Sequence, residues 1–232
     1  MDNFCILSQV QNICLILPKR QAIDKFTFHC WRSIAQFDSH AGENGTYLVH
    51  SLYFDNLKDK VLREKIDGID RREKFRIRYY NENTSYIMLE KKSKIHELCD
   101  KQSVQLKKEQ VEAICSGDIK FLLHSEDKLC QELYAKMRYQ LLKPRCIVEY
   151  ERIPFVYKPG NVRITFDSNV RTGLYHDKFF DGNITTVPTE PGTIILEVKY
   201  DAFLPEIIEK AVRVPNRRAS AFSKYAVCRK YG

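Results

Sequence analysis

Several segments of this chain place charged residues at every second position. In "REKFRIRYY" (72–80), Arg72, Lys74, Arg76 and Arg78 fall on one side, with Glu73, Phe75, Ile77 and Tyr79 on the other. In "SYIMLEKKSK" (85–94), Met88, Glu90, Lys92 and Lys94 oppose Ile87, Leu89 and Lys91. "NVRITFD" (161–167) sets Arg163, Thr165 and Asp167 against Val162, Ile164 and Phe166. "TIILEVKYD" (193–201) sets Ile195, Glu197, Lys199 and Asp201 against Leu196, Val198 and Tyr200. One face of "CIVEYERI" (146–153) carries Val148, Tyr150 and Arg152. A period of two is that of a β-strand. Like charges at that spacing repel, so each face needs a reason.

For any one strand the ordinary reason is a solvated outer surface, as antiparallel sheets usually have. The set argues otherwise, because every face repeats Arg or Lys and several add a carboxylate. If the strands close into a barrel, one face of each points into a shared lumen. The apolar faces then pack outward under helices. Buried cations and carboxylates require counter-ions. A polyanion carrying a divalent metal satisfies both signs, since Arg and Lys take phosphate oxygens and Glu takes the metal. Nucleic acid fits less well: Glu90, Glu197 and Asp167 within the stripes would repel its backbone, and its surfaces usually add stacking aromatics. Neither common nucleotide loop is present, and no Ser-His-Asp or Cys-His constellation stands out.

The elements that must position these faces can be read along the chain. A helix is expected from Pro18, a suitable first helical residue, to about Phe37, with Ala22, Phe26, Cys30, Ile34 and Phe37 at helical spacing. "ICLIL" (13–17) before it is a short strand. Strands follow at 47–55, 72–80 and 85–94, with a hairpin turn at "NEN" (81–83). "KQSVQL" (101–106) leads into a helix near Lys107–Cys115 that Gly117 ends. A further helix runs from Asp127 to Leu142 with Leu129, Leu133, Met137 and Leu141 on one stripe. Strands at 145–157, 161–167 and 193–201 come next. Pro205 then opens a helix with Ile207, Ile208, Ala211 and Val212 inside, and a last helix brings Phe222, Tyr225 and Cys228 to the core. With seven or eight strands and helices inserted between groups, the pattern is α+β or a barrel with helices.

Composition agrees. The 232 residues are 44% apolar and 29% charged with a net charge of +8, an ordinary globular balance whose surplus favours an anionic partner. No repeat or linker divides the chain, so 1–232 is expected to be a single domain. The eight cysteines have no close pairs and no His at ligand spacing, which disfavours zinc. Positions such as Cys30 and Cys115 suit reduced core thiols, and a reducing, cytoplasmic compartment is expected. The early apolar run falls far short of the roughly 20 residues of a membrane span, and no cleavage site follows it.

The motifs "SLYFDN" (51–56), "KIDGIDRREKFRIRYYN" (65–81), "LEKKSK" (89–94), "KQSVQL" (101–106), "VEYER" (148–152), "NVRITFD" (161–167), "ILEVKYDAFLP" (195–205) and "SKYAVCR" (223–229) together resemble the catalytic domain of the vacuolar transporter chaperone (VTC) complex. They are closer still to its stand-alone bacterial relatives in the triphosphate tunnel metalloenzyme superfamily. The match runs in order over roughly residues 17–230. It implies a closed antiparallel β-barrel, or tunnel, of about eight strands with helices packed outside. It also implies a polyphosphate polymerase that moves the ATP γ-phosphate onto a growing polyphosphate chain, with Mn²⁺ or Mg²⁺ as cofactor. Carried over by motif, Arg76, Arg78, Lys92, Arg163 and Lys224 would surround the transferring group. Lys101, Tyr150, Arg152, Lys199 and Ser223 would bind the phosphate chain. Glu197 would hold the metal, with Glu90 a weaker candidate, while Arg72 and Lys74 keep a lesser role at the tunnel mouth. ATP and inorganic polyphosphate are the implied partners, nucleic acid is not, and the resemblance leaves room for a membrane protein that takes the product.

One departure stands out. The superfamily opens with a first strand of the form ExExK, whereas this chain has Val10, Asn12 and Cys14 at those places. Metal carboxylates and a phosphate lysine are absent there. Either an upstream frameshift has replaced the strand, or the copy has weakened activity. A tunnel hydrolase and a non-catalytic binder are therefore the competing expectations.

Overall fold

The alternating segments are strands, and every pairing between them is antiparallel. The structure, a computed structural model, describes residues 11–18, 31–38, 41–42, 44–96, 98–173, 175–182, 184–214 and 218–231. Ten strands form one sheet: β1 (Gln11–Pro18), β2 (Gln36–Phe37), β3 (Tyr47–Asp55), β4 (Arg72–Tyr80), β5 (Asn83–Ile95), β6 (Leu98–Leu106), β7 (Lys143–Tyr157), β8 (Val162–Gly173), β9 (Thr186–Pro188) and β10 (Thr193–Tyr200). The main path is β1-β10-β8-β7-β3-β4-β5-β6, with β2 added beside β7 and β9 beside β8. Among the described residues six α-helices with defined bounds accompany it: α1 (Lys60–Ile66), α2 (Lys108–Ser116), α3 (Lys120–Leu123), α4 (Lys128–Tyr139), α5 (Glu206–Val212) and α6 (Lys224–Cys228).

Among the described residues, hydrogen bonds do not close the barrel that the sequence suggests, because β1 and β6 end the path without pairing to each other. The sheet is nonetheless strongly curled. Lys92 on β5 and Lys199 on β10 lie five strand steps apart, about 24 Å across a flat sheet. Yet the charge of Lys92 helps to depress the proton affinity of Lys199, after burial as the main cause. Only curvature of the sheet brings the two ammonium groups within reach. The free edge of β1 meets the C-terminal segment instead of β6: Ser220 N donates to the Cys14 carbonyl at 2.9 Å.

Several helix bounds differ from expectation for local reasons. Pro18 ends β1 opposite Thr193 instead of opening a helix. An edge strand tolerates the missing donor of proline. Residues 31–34 are helical, but Gln36 and Phe37 pair with Val156 and Phe155 of β7. Ala22, Phe26 and Cys30 lie outside the described residues. α4 stops at Tyr139, since Leu141 takes φ +56° and Leu142 N reaches back to the Lys136 carbonyl at 3.3 Å. That is a C-terminal capping geometry, and it leaves Leu141 exposed and Leu142 buried. In α5, Ile208 and Val212 are buried while Ile207 faces out.

The apolar faces do pack outward under helices. Leu52, Phe75, Ile77, Leu89 and Ile147 share one cluster with Val111 and Ile114 of α2 and Leu129, Leu133 and Met137 of α4. A second cluster sets Leu15, Phe155, Phe166, Leu196 and Val198 against Trp31, Ile208 and Val212. Leu133 is fully buried, so Leu133→Ala is expected to cost about 2–5 kcal/mol of stability by lost transfer energy plus a cavity. Denaturant unfolding would measure the loss. The few charges on the outer face are neutralised across this interface: Lys91 pairs with Glu132 at 2.5 Å and with Glu73 at 3.5 Å, and Glu73 also pairs with Lys136. On the inner face cations outnumber carboxylates, and some ion pairs share one acid between two bases.

Candidate functional site

Strand register gathers the inner-face residues into rows. Lys74, Lys92 and Lys101 stand directly opposite one another on β4, β5 and β6. One row along, Arg76 faces Tyr53 on one side and Glu90 on the other, and Glu90 faces Ser103. Like charges directly opposite on a sheet destabilise it, so the lysine row raises the energy of the ligand-free protein.

Arg76 is fixed on both sides. Its Nε donates to Glu90 Oε2 at 2.6 Å and its Nη1 to the Tyr53 hydroxyl at 3.1 Å. Lys101 Nζ pairs with Glu90 Oε1 at 2.5 Å. Burial opposes the Glu90 charge, but Arg76, Arg78 and Lys101 outweigh it and bring the carboxyl down to about 2. Glu90 therefore stays ionised with both oxygens committed to cations. It fits the part of a brace for Arg76 better than that of a metal ligand.

Arg78 is buried and is met by neutral oxygens: Nε donates to Ser51 Oγ at 3.0 Å and Nη2 to the Tyr150 hydroxyl at 3.1 Å. The Tyr150 ring in turn carries Arg152 at 5.2 Å and Lys224 at 4.8 Å. Tyr150 thereby joins the β4–β6 cations to a second group on β7, β8 and α6. There Arg152 grips Asp167 with two bonds, Nε to Oδ1 at 2.6 Å and Nη2 to Oδ2 at 2.8 Å. Lys224 reaches Oδ2 at 2.6 Å. Although burial opposes its charge, Arg152 and Lys224 hold the Asp167 carboxyl far below the usual range. Ser223 begins α6, and its Oγ accepts from Ala226 N at 3.3 Å; the hydroxyl sets the helix that presents Lys224.

Glu197 and Lys199 lie on β10 opposite Cys14 and Asn12 of β1. Glu197 Oε1 accepts from Asn12 Nδ2 at 2.9 Å and meets Lys199 Nζ at 3.3 Å. Burial is outweighed by Lys199, Lys224 and Arg152, which lower this carboxyl to about 2. Val10 lies outside the described residues. Arg163 lies opposite Lys199 of β10 and pairs with Asp38 beside Gln36 and Lys158, around a cleft of about 460 Å³.

The described residues form no cluster of three or more metal-ligating side chains. Asp167 and Glu90 are committed to cations through both oxygens, whereas Glu197 makes its contacts through one oxygen. That donor set does not cage a metal. It fits a hard cation that arrives on phosphate oxygens and keeps several waters, as Mg²⁺ commonly does.

Three contributors escaped the sequence reading. Lys74, given a minor place, is central: burial first, then Arg76, Lys92 and Arg78, bring its ammonium down to about 8. Tyr53 and Ser51 project from β3 toward Arg76 and Arg78. The signal was the alternation Ser51, Tyr53, Asp55 within "SLYFDN", which puts them on one face. Without register, nothing said which strand they would meet.

The VTC domain family model matches residues 9–231. No curated protein matches the chain. Among solved structures, a Bacillus halodurans protein provisionally assigned as an adenylate cyclase is 13% identical, with 88% of this chain and 85% of that one covered and a TM-score of 0.46. A Pyrococcus horikoshii protein is 15% identical over 87% of this chain and 84% of its own, with a TM-score of 0.39.

Proposed function

Because this chain belongs to the VTC domain family, we propose that it is a polyphosphate polymerase, transferring the ATP γ-phosphate to the end of a polyphosphate chain held on the cationic inner face. The observation that carries this reading is the row Lys74, Lys92 and Lys101 with Arg76 and Arg78 alongside. Among the described residues, Lys74, Lys92 and Arg78 have no carboxylate partner, whereas the outer-face charges are paired. A linear polyanion laid across the row removes the repulsion at several points at once. The curled sheet then wraps the chain, and the β1 and β6 edges form the two lips of the tunnel.

Phosphoryl transfer asks the protein for alignment and for neutralisation of charge on the moving group. Arg76, braced by Glu90 and Tyr53, and Arg78, braced by Ser51 and Tyr150, present guanidinium donors without reorganisation. Lys74, Lys92 and Lys101 hold the chain on one side, and Lys224 with Arg152 holds it on the other. Glu197 would hold Mn²⁺ or Mg²⁺, which when bound draws charge from the phosphate oxygens. Arg163, across from Lys199 and tied to Asp38, suits the entering or leaving chain.

A second reading has its own observation. Asn12 occupies a place where relatives carry an acid, and its amide binds Glu197 Oε1. A neutral partner there weakens metal capture and favours a polyphosphate binder without turnover. Incubation of the purified chain with ATP and Mn²⁺ separates the possibilities. Long polyphosphate is the expected product. Stoichiometric orthophosphate without polymer would indicate a tunnel hydrolase, and binding without turnover the non-catalytic reading.

A further inference from the structure

Tyr53 sits in the cationic end of the inner face, and its hydroxyl does more than brace a neighbour. It accepts from Arg76 Nη1 at 3.1 Å. The Lys74 ammonium lies 5.6 Å over its ring and the Arg76 guanidinium 6.0 Å. Arg78, on the same strand, adds a third positive field. From α6, Tyr225 stacks on Tyr53 at 5.1 Å, with its own hydroxyl turned to Asp55 Oδ2 at 2.7 Å. Cys146 of β7 is the cross-strand neighbour of Tyr53. On β5, Glu90 is already committed to Arg76 and Lys101. In this patch Tyr53 can still gain negative charge by losing a proton; so can the Cys146 thiol, which hydrogen bonding from Cys228 shifts downward against burial, but a thiolate lacks the phenolate band.

We propose that Tyr53 is a positioning residue and a proton-coupled counter-ion of the phosphate face: as phenolate it holds Lys74 and Arg76 in place, and it takes a proton from solvent when a phosphate chain binds. The step is protonation of the phenolate oxygen, and no other bond changes. The inference rests on the phosphate-binding part of the reading above and not on polymerisation.

Burial opposes the Tyr53 charge, but Arg76, Lys74 and Arg78 outweigh it and lower the phenol to about 7, against an ordinary value of about 10. Tyr47, Tyr79 and Tyr225 shift the other way through burial. A bound polyanion neutralises the three cations, so the Tyr53 pKa returns upward and a proton is taken up. Affinity then falls as pH rises above 7, by up to about tenfold per pH unit. Lys74, lowered to about 8, also gains a proton on binding, so proton uptake alone does not identify the group. The ultraviolet band of the phenolate does.

The test uses the full chain and inorganic tripolyphosphate, with ultraviolet titration of phenolate and calorimetric binding. One tyrosine is expected to ionise near pH 7, its band to be absent from Tyr53→Phe, and the band to vanish when tripolyphosphate is added about one pH unit higher. The wild-type titration needs no variant, so a folding defect in Tyr53→Phe leaves the test intact. Tripolyphosphate binding with an unchanged band, or no ionisation near neutrality, overturns the inference alone. Absence of tripolyphosphate binding overturns the phosphate face and this inference with it.

Discussion

Replacing Asp167 by asparagine is expected to remove about 3–5 kcal/mol of stability, the usual result of taking one partner from a buried ion pair. Asp167 is fully buried, and its loss strands Arg152 and Lys224 together. The effect should depend on pH with a definite sign. A carboxyl whose folded pKa lies below its unfolded value stabilises at all pH above the unfolded one, about 3.9. That stability is lost as pH falls toward the folded value, which lies far lower for Asp167. The gap between wild type and Asp167→Asn in denaturant unfolding should be full at neutrality and shrink below about pH 4. A gap that stays constant into acid would mean that the ion pairs are not its source.

On the polymerase reading proposed above, Arg76→Ala is expected to lower the rate of polyphosphate synthesis by about 10²–10³-fold, the scale for removing one preorganised donor to developing charge. Glu90 keeps Lys101 as a partner in that variant, so folding should survive and circular dichroism should match wild type. Glu197→Gln is the companion, and its loss should be partly recovered by raising Mn²⁺ if the carboxylate acts by holding the cation. The inner-face assignment is wrong if both variants retain full activity. Equal damage to thermal stability and rate would place Arg76 in the scaffold instead.

These predictions draw on different depths of the molecule. Arg76 and Glu197 follow from period-two alternation, which assigns residues to a face before any pairing is known. Asp167 was visible as one of the inner acids, but its grip by Arg152 and Lys224 was not. That contact joins β8 to a neighbouring strand and to a helix more than fifty residues downstream. Pro18 shows the opposite failure: a residue good at starting helices also suits the end of an edge strand, and the pairing with Thr193 decided between them. In the same way Leu141 fitted a helical stripe until the cap of α4 turned it outward.

The sequence by itself determined the family, the antiparallel class, the charged and apolar faces, and most of the cationic residues that we propose grip phosphate. Face membership is local, because successive side chains of a strand must point to opposite sides. Tertiary structure alone decided the register that lines up Lys74, Lys92 and Lys101, the commitment of Glu90 to Arg76, and the placing of Tyr53 among three cations. It also decided that, among the described residues, β1 and β6 do not pair with each other. Those outcomes depend on which residue lies across from which, and a strand's own pattern is the same in every register that keeps its apolar face against the helices.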